Sequence, residues 1–218
     1  MAWEFKNARV VLSYRHLFKH LSRLFLMQFD HVVEKRHSVR SFRDKKASWK
    51  VVLEAIDAAN QGPFADSRNP LKFLVIEEQK TIGAIAERTG QLWVNEASIL
   101  VLVCSDDMHL ENMHGERGKK YARQQSGAAV AHLLLKLTDL GLGSCWVGAF
   151  SDEQLKQHLH IPSHIEVEAI VPIGYEKSKA GSSPRRKKAL ENSLYWESWG
   201  TGKRPSLFRD PPEPDFIE

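Results

Sequence analysis

The stretch Tyr121–Leu140 limits what this chain can fold into more than any other feature. It reads as one long helix stopped by Gly141, and from Ala128 to Leu137 it is apolar almost all round. A helix without a wet face lies at the centre of a core or crosses a subunit interface. A chain of 218 residues, 42% of them hydrophobic, suits one compact domain with arms. Such a domain gives a helix of this kind too little cover alone, so the pattern points to a homodimer.

The flanking segments alternate between the two periodicities. Asp30 reads as the N-cap of a short helix carrying Val32 and Val33, and Ser48 as the cap of a second. In that second helix Trp49, Val52, Leu53, Ile56 and Ala59 recur on one face, predicted to be buried. Strands are expected at Leu71–Ile76, Ser98–Cys104, Ser144–Val147 and Glu166–Tyr175, the second a short apolar run covered on both faces. A helix over Lys80–Arg88 closes at Gly90, and Ser151 with Gln154 spells a capping box for another. The polar stretch 105–120 reads as an exposed excursion with the length of a lid. Helices mixed with a few strands make the class α/β or α+β around one layered core.

Charge and cysteine usage exclude several functions. Lys and Arg total 31 against 27 Asp and Glu, a net charge of +4, and no basic stripe interleaves with aromatics, so no nucleic-acid partner is expected. Cys104 and Cys145 both sit in apolar runs without metal-ligand spacing, which argues for a reducing, cytoplasmic setting and no metal. No apolar run is long enough for integral membrane contact. His158, His160 and His164 cluster without partnered carboxylates and read as surface residues.

Three regions are expected along the chain. Residues 1–26 form a basic amphipathic extension, with Lys6, Arg9, Arg15, Lys19 and Arg23 against Glu4, and Leu17, Phe18, Leu21, Leu24 and Phe25 at helical spacing. It lacks the unbroken apolar run of a secretory signal. Three readings stand: a helix that packs on the body or a membrane surface, a transit peptide, or translated sequence ahead of a start at Met27. Residues 27–199 form the main domain. Residues 200–218, with Pro205, Pro211, Pro212 and Pro214, form an extended arm.

Four stretches carry chemistry. In Arg36-His37-Ser38-Val39-Arg40, Arg36, Ser38 and Arg40 alternate and share one side of an extended segment. Two guanidiniums around a hydroxyl suit a phosphate or a polyhydroxyl chain, and equally a solvated charged loop. Ser67 and Asn69 stand just before a strand, able to bond the edge of a heterocycle or simply to build a turn. In Gly141–Phe150 the pair Gly141 and Gly143 follows a helix and lacks the third glycine of a dinucleotide fingerprint. Gly141 is a helix stop, whereas Gly148-Ala149 lets a flat ligand approach backbone N–H groups. Finally, Pro184-Arg185-Arg186-Lys187-Lys188 lies in a run with six basic residues and no acid, a solvated tail or a phosphate clamp.

Taken together and in this order, these stretches resemble the nitroreductase family of FMN-dependent oxidoreductases, from about Phe29 to Trp199. Arg36-His37-Ser38-Val39-Arg40-Ser41-Phe42 is similar to the family's opening motif, and GLGSCWVGAF at 141–150 is close to the family's form. The resemblance implies an α+β fold, an α/β/α sandwich with a central, mainly antiparallel sheet, assembled as an intimate homodimer with FMN at the interface. Arg36, Ser38 and Arg40 would hold the phosphate and ribityl chain, and His37 would add backbone contacts. Ser67 and Asn69 would reach the flavin edge from the partner. Trp146, Val147, Gly148 and Ala149 would line the ring, with an N–H of Gly148 or Ala149 facing flavin N5. Arg185 and Lys187 would close on the phosphate. Phe64, Ser67, Asn69 and Leu71 depart from the family pattern, which often has Ser, Asn, Gln and Trp there. The chemistry implied is hydride transfer from NADH or NADPH through the flavin to a small-molecule electron acceptor such as a nitroaromatic or quinone, with no catalytic side chain. A specialised member such as a reductive dehalogenase, and a non-catalytic flavin-binding regulator, are the competing readings.

Overall fold

The structure is a computed structural model that describes residues 28–177 and 190–203. Contacts divide the chain into two units, Met1–Ala180 and Gly181–Glu218. In the second unit the described part holds a 3-10 turn at Leu190–Asn192 and a tilted pair of rings, Tyr195 and Trp199. The expected basic extension 1–26, Arg185 and Lys187, and the expected arm beyond residue 203 lie outside the described residues.

The first unit runs α1 (Phe29–Lys35), α2 (Trp49–Ala59), β1 (Leu71–Ile76), α3 (Gln79–Thr89), β2 (Ile99–Asp106), α4 (Met108–His114), α5 (Glu116–Asp139), β3 (Gly143–Ser144), α6 (Asp152–Leu159) and β4 (Ile165–Gly174). The strands form one sheet in the order β1-β2-β4-β3, and every neighbouring pair is antiparallel. β2 shows why this is a sandwich. Its residues alternate in which core they enter: Ile99, Val101 and Val103 pack with α2 and α5, whereas Leu100, Leu102 and Cys104 pack with α3 and α6. A strand covered on both faces must be apolar throughout, as the sequence predicted. The expected α/β/α sandwich is thus present.

The pairing of β2 with β4 slips by one residue between Val103 and Cys104, which pair with Ala169 and Val167. Glu168 is the extra residue. A bulge of this kind re-aims a side chain. Here the Glu168 carboxylate, 10% exposed, accepts from Arg123 of α5 and from the Ser105 hydroxyl.

Several sequence expectations shift. The first helix starts at Phe29 with Gln28 at its N-cap, which places Asp30 in the first turn. There it still meets the positive end of the helix dipole. Ser48 and Ser151 occupy N-cap positions without side-chain cap bonds. Acidic Asp152 and Glu153 face the open N–H groups of α6 instead. On α2 the buried set is Val52, Ala55, Ile56 and Ala59, while Trp49 and Leu53 are 42% and 45% exposed. One stripe along an 11-residue helix covers the core, and those two side chains fall beside it. The third expected strand shrinks to Gly143–Ser144, and Val147 returns to the sheet as a single bridge to Ile170.

The excursion expected at 105–120 is a folded elbow. It holds α4 and the first turn of α5, with Leu110 and Gly118 buried. A methyl group on Gly118 would lie 2.0 Å from the Leu110 carbonyl oxygen, so the two helices meet where only glycine fits. The polar residues face water while Leu110 alone anchors α4, which is why the sequence reads as loop. On α5 Ala129, Val130, Leu133, Leu134 and Leu137 are buried, but Ala131 is exposed and Gly127, Ala128 and Leu135 are half-buried. The helix is therefore central on one side and open on the other within a single chain.

Candidate functional site

The cationic segment lies along the β3 edge because two glycines make room for it. Gly143 and Gly174 face each other across β3 and β4. A Cβ on Gly143 would stand 3.0 Å from Val39, and one on Gly174 would stand 2.9 Å from Phe42. Val39 and Phe42 are 4% and 3% exposed, so they are the apolar feet of the segment. Ser38 bridges to Ser144, and the Val39 N–H donates to the Ser144 carbonyl. With Val39 turned in, Ser38 and Arg40 on either side are exposed.

Two carboxylates tie the segment down. Glu176 accepts from His37 Nε2 at 2.8 Å, and its own carbonyl accepts from Arg43 Nε at 2.7 Å. Glu96 accepts from the Ser41 hydroxyl and the Phe42 N–H at 3.1 and 3.0 Å. Further backbone bonds run from Arg43 to Tyr175 and from Lys177 to Ser41. Sequence reasoning missed both carboxylates, since each is remote in the chain and carries no motif. It also missed Gly143 and Gly174, whose only signal was their place at strand ends.

Beside Ser38 runs the stretch after β3. Trp146 is 43% exposed, Val147 buries its side chain, and Gly148 and Ala149 are exposed. Val147 can therefore line a ligand only with its backbone. Among the described residues the N–H groups of Gly148 and Ala149 find no acceptor in the chain, while Gln91 fixes the Ala149 carbonyl. Arg40 lies 6.0 Å from the Trp93 ring. The Cys145 thiol is pushed up by burial, opposed by the Arg40 charge and a hydrogen bond from Ser38. Burial likewise drives Cys104 up to about 11. Neither thiol is a nucleophile near neutral pH.

Ser67 and Asn69 stand elsewhere. Asn69 Oδ1 accepts from the Leu71 N–H at 2.9 Å and its amide donates to Asn60 at 2.8 Å, so both ends of the side chain build the turn. Ser67 is exposed, and both it and Asp66 have φ of 54°. Leu71 pairs with Ser105 at one end of β2, whereas Gly143 pairs with Gly174 at the opposite end and the opposite edge of the sheet. From strand geometry the two corners lie roughly 25 Å apart. Within one chain the structure brings together Arg36, His37, Ser38, Arg40 and Trp146–Ala149, and sets Ser67 and Asn69 apart from them.

The arrangement offers an anion a pair of guanidiniums and a hydroxyl on a fixed backbone. Next to them, a flat ring meets an exposed indole and two open N–H groups. A mononucleotide with a fused ring fits that donor set.

Comparison with known proteins shows what the chain is similar to. A nitroreductase family protein from Clostridium novyi matches with a TM-score of 0.64 and 29% identity, covering 80% of this chain and 96% of that one. Residues 85–175 match the model of the nitroreductase family. The chain carries the nitroreductase fold and, over those residues, the nitroreductase family's sequence, so the resemblance read from the motifs is borne out. Among relatives, an NADH dehydrogenase from Thermus thermophilus is 27% identical, covering 74% of this chain and 92% of its own length. An iodotyrosine deiodinase from Thermotoga neapolitana is 26% identical, covering 71% and 91%. No helix among the described residues is long and apolar enough to cross a membrane.

Proposed function

We propose that this chain is an FMN-dependent NAD(P)H oxidoreductase that reduces an electrophilic small molecule, such as a nitroaromatic or quinone, and works as a homodimer. The observation that carries the reading is the strap of Arg36, Ser38 and Arg40 fixed along Ser144, next to the open N–H groups of Gly148 and Ala149. FMN, when bound, supplies the hydride chemistry. The chain's part is to bind, orient and tune. Arg36 and Arg40 hold the anionic tail, Ser38 adds a hydroxyl donor, and the Trp146 indole covers a ring face. The Gly148 and Ala149 N–H groups are fixed donors, and fixed donors need no reorganisation when charge shifts.

Two features support the dimer. The corner of Ser67 and Asn69 is too far from the strap to serve the same ligand in one chain, so a shared site needs a second copy. The open side of α5, together with exposed Phe29, Val33, Trp49 and Leu53, gives that copy an apolar face. The name of the NADH dehydrogenase relative supports a nicotinamide donor. That of the deiodinase relative favours a second reading, reductive dehalogenation.

The test is an absorbance spectrum of the purified protein, then addition of NADH or NADPH. Flavin bands that either nicotinamide bleaches are expected. Protein that takes up no FMN on reconstitution sinks the reading, and bound flavin that neither donor reduces favours a regulator. Turnover with menadione and none with iodotyrosine separates the two enzyme readings. Arg40→Ala is expected to weaken FMN binding by about tenfold to a hundredfold, the worth of a charged hydrogen bond. Titration of flavin fluorescence reads this directly.

A further inference from the structure

His37 is held at both ring nitrogens. Nε2 lies 2.8 Å from a Glu176 carboxylate oxygen and Nδ1 lies 2.9 Å from the Lys35 carbonyl oxygen. Both partners are acceptors only, and a neutral imidazole has one donor. With Glu176 ionised, the two bonds coexist only if both nitrogens carry protons. We propose that His37 is a fixed imidazolium, secured by Glu176, which adds a positive charge between Arg36 and Arg40 and makes the strap's grip on the phosphate of FMN pH-dependent. This rests on the cofactor reading above and extends it, since that reading asks only backbone contacts of His37.

The surroundings favour the charge. Among the described residues Glu176 is in contact with it, Lys177 follows Glu176, Glu34 and Lys35 precede it at the end of α1, Arg36, Arg40 and Arg43 share its segment, and Glu96 bonds that segment at Ser41 and Phe42. Five cations oppose a sixth. However, exposed charges are screened over about 8–10 Å in salt, while Glu176 is in contact and only 23% exposed. The contact outweighs the distant repulsion. Glu176 thus has two tasks, since its main-chain carbonyl also holds Arg43.

The sign follows from linkage. A phosphate dianion binds the charged form of His37 better, so affinity is full at low pH and falls as pH rises through the imidazolium's ionisation. The second ionisation of a phosphate monoester lies near ~6, so measurements from about pH 7 to about pH 9 leave the ligand unchanged.

The experiment has two arms. In the first, NMR follows the imidazole of His37 in the flavin-free protein, assigned by its loss in His37→Gln. It is expected to titrate above the ordinary value of about 6.5, and to move down in Glu176→Gln. In the second, FMN affinity is expected to fall about tenfold across the range in the parent protein, to stay level in His37→Gln, and to stay level for riboflavin, which has no phosphate. A His37 that titrates at or below the ordinary value overturns the proposal, as does a slope that survives in His37→Gln. Bound FMN with a flat affinity overturns this proposal alone. A chain that binds no FMN at any pH overturns the cofactor reading and this proposal together.

Discussion

Gly118→Ala is expected to lower stability by about 4 kcal/mol, because the new methyl group has nowhere to go. It would lie 2.0 Å from the Leu110 carbonyl oxygen, 2.4 Å from its carbon and 2.8 Å from the Glu111 nitrogen. All three are main-chain atoms, so no rotamer change relieves the overlap. The elbow between α4 and α5 must open, which pulls the 2%-exposed Leu110 out of its seat. In a protein of this size each kcal/mol moves the melting temperature by about 2–4 °C, so a loss of about 8–16 °C is expected by thermal denaturation. Glu116→Ala, at a side chain 87% exposed, is the control and stays within about 0.5 kcal/mol. Equal behaviour of the two variants would show that the elbow is not a tight junction.

Arg123→Met is expected to cost about 3–5 kcal/mol for an electrostatic reason. Arg123 reaches from α5 to Asp107 and to Glu168, whose side chains are only 9% and 10% exposed. Methionine keeps much of the volume but leaves two carboxylates buried near each other without a cation. The larger part of the loss is the unmet charge and not the missing contact. The double variant Arg123→Met, Glu168→Gln is therefore expected to recover part of the deficit, as measured by denaturant unfolding. A double variant less stable than Arg123→Met alone would show that Glu168 does not need its partner.

Most elements were legible because single faces decided them. β1 falls at Leu71–Ile76, as its apolar run bounded by turn residues predicted. Gly90 and Gly141 stop their helices with φ of 65° and 77°, a conformation glycine adopts without strain. What stayed hidden depended on pairs of residues far apart in sequence. Nothing near Glu176 announces that it holds His37, 139 residues away. Nothing in Glu168 tells that a bulge turns it towards Arg123. Gly143 read as half of a failed fingerprint, when its purpose is to let Val39 sit down on the sheet edge. Likewise the 105–120 stretch read as loop because its surface is polar, and one leucine with one glycine is too faint a pattern to mark a buried elbow.

In the candidate site the strap and the stretch after β3 were legible as motifs, since their residues are contiguous. That they touch was not, because the contact runs through Ser38 and Ser144, 106 positions apart in the chain. Asn69 was legible as a polar group before a strand, but the turn-building that the structure shows and the ligand contact that the sequence also suggested predict the same residue type.

The diagonal placement of the two corners has a genetic corollary. If each pocket takes the strap from one chain and the Ser67 loop from the other, a chain damaged at Arg40 and a chain damaged at Ser67 spoil different halves. A mixed pair then gathers both lesions into one pocket and leaves the other whole, so two alleles that are each inactive alone would complement one another when expressed together.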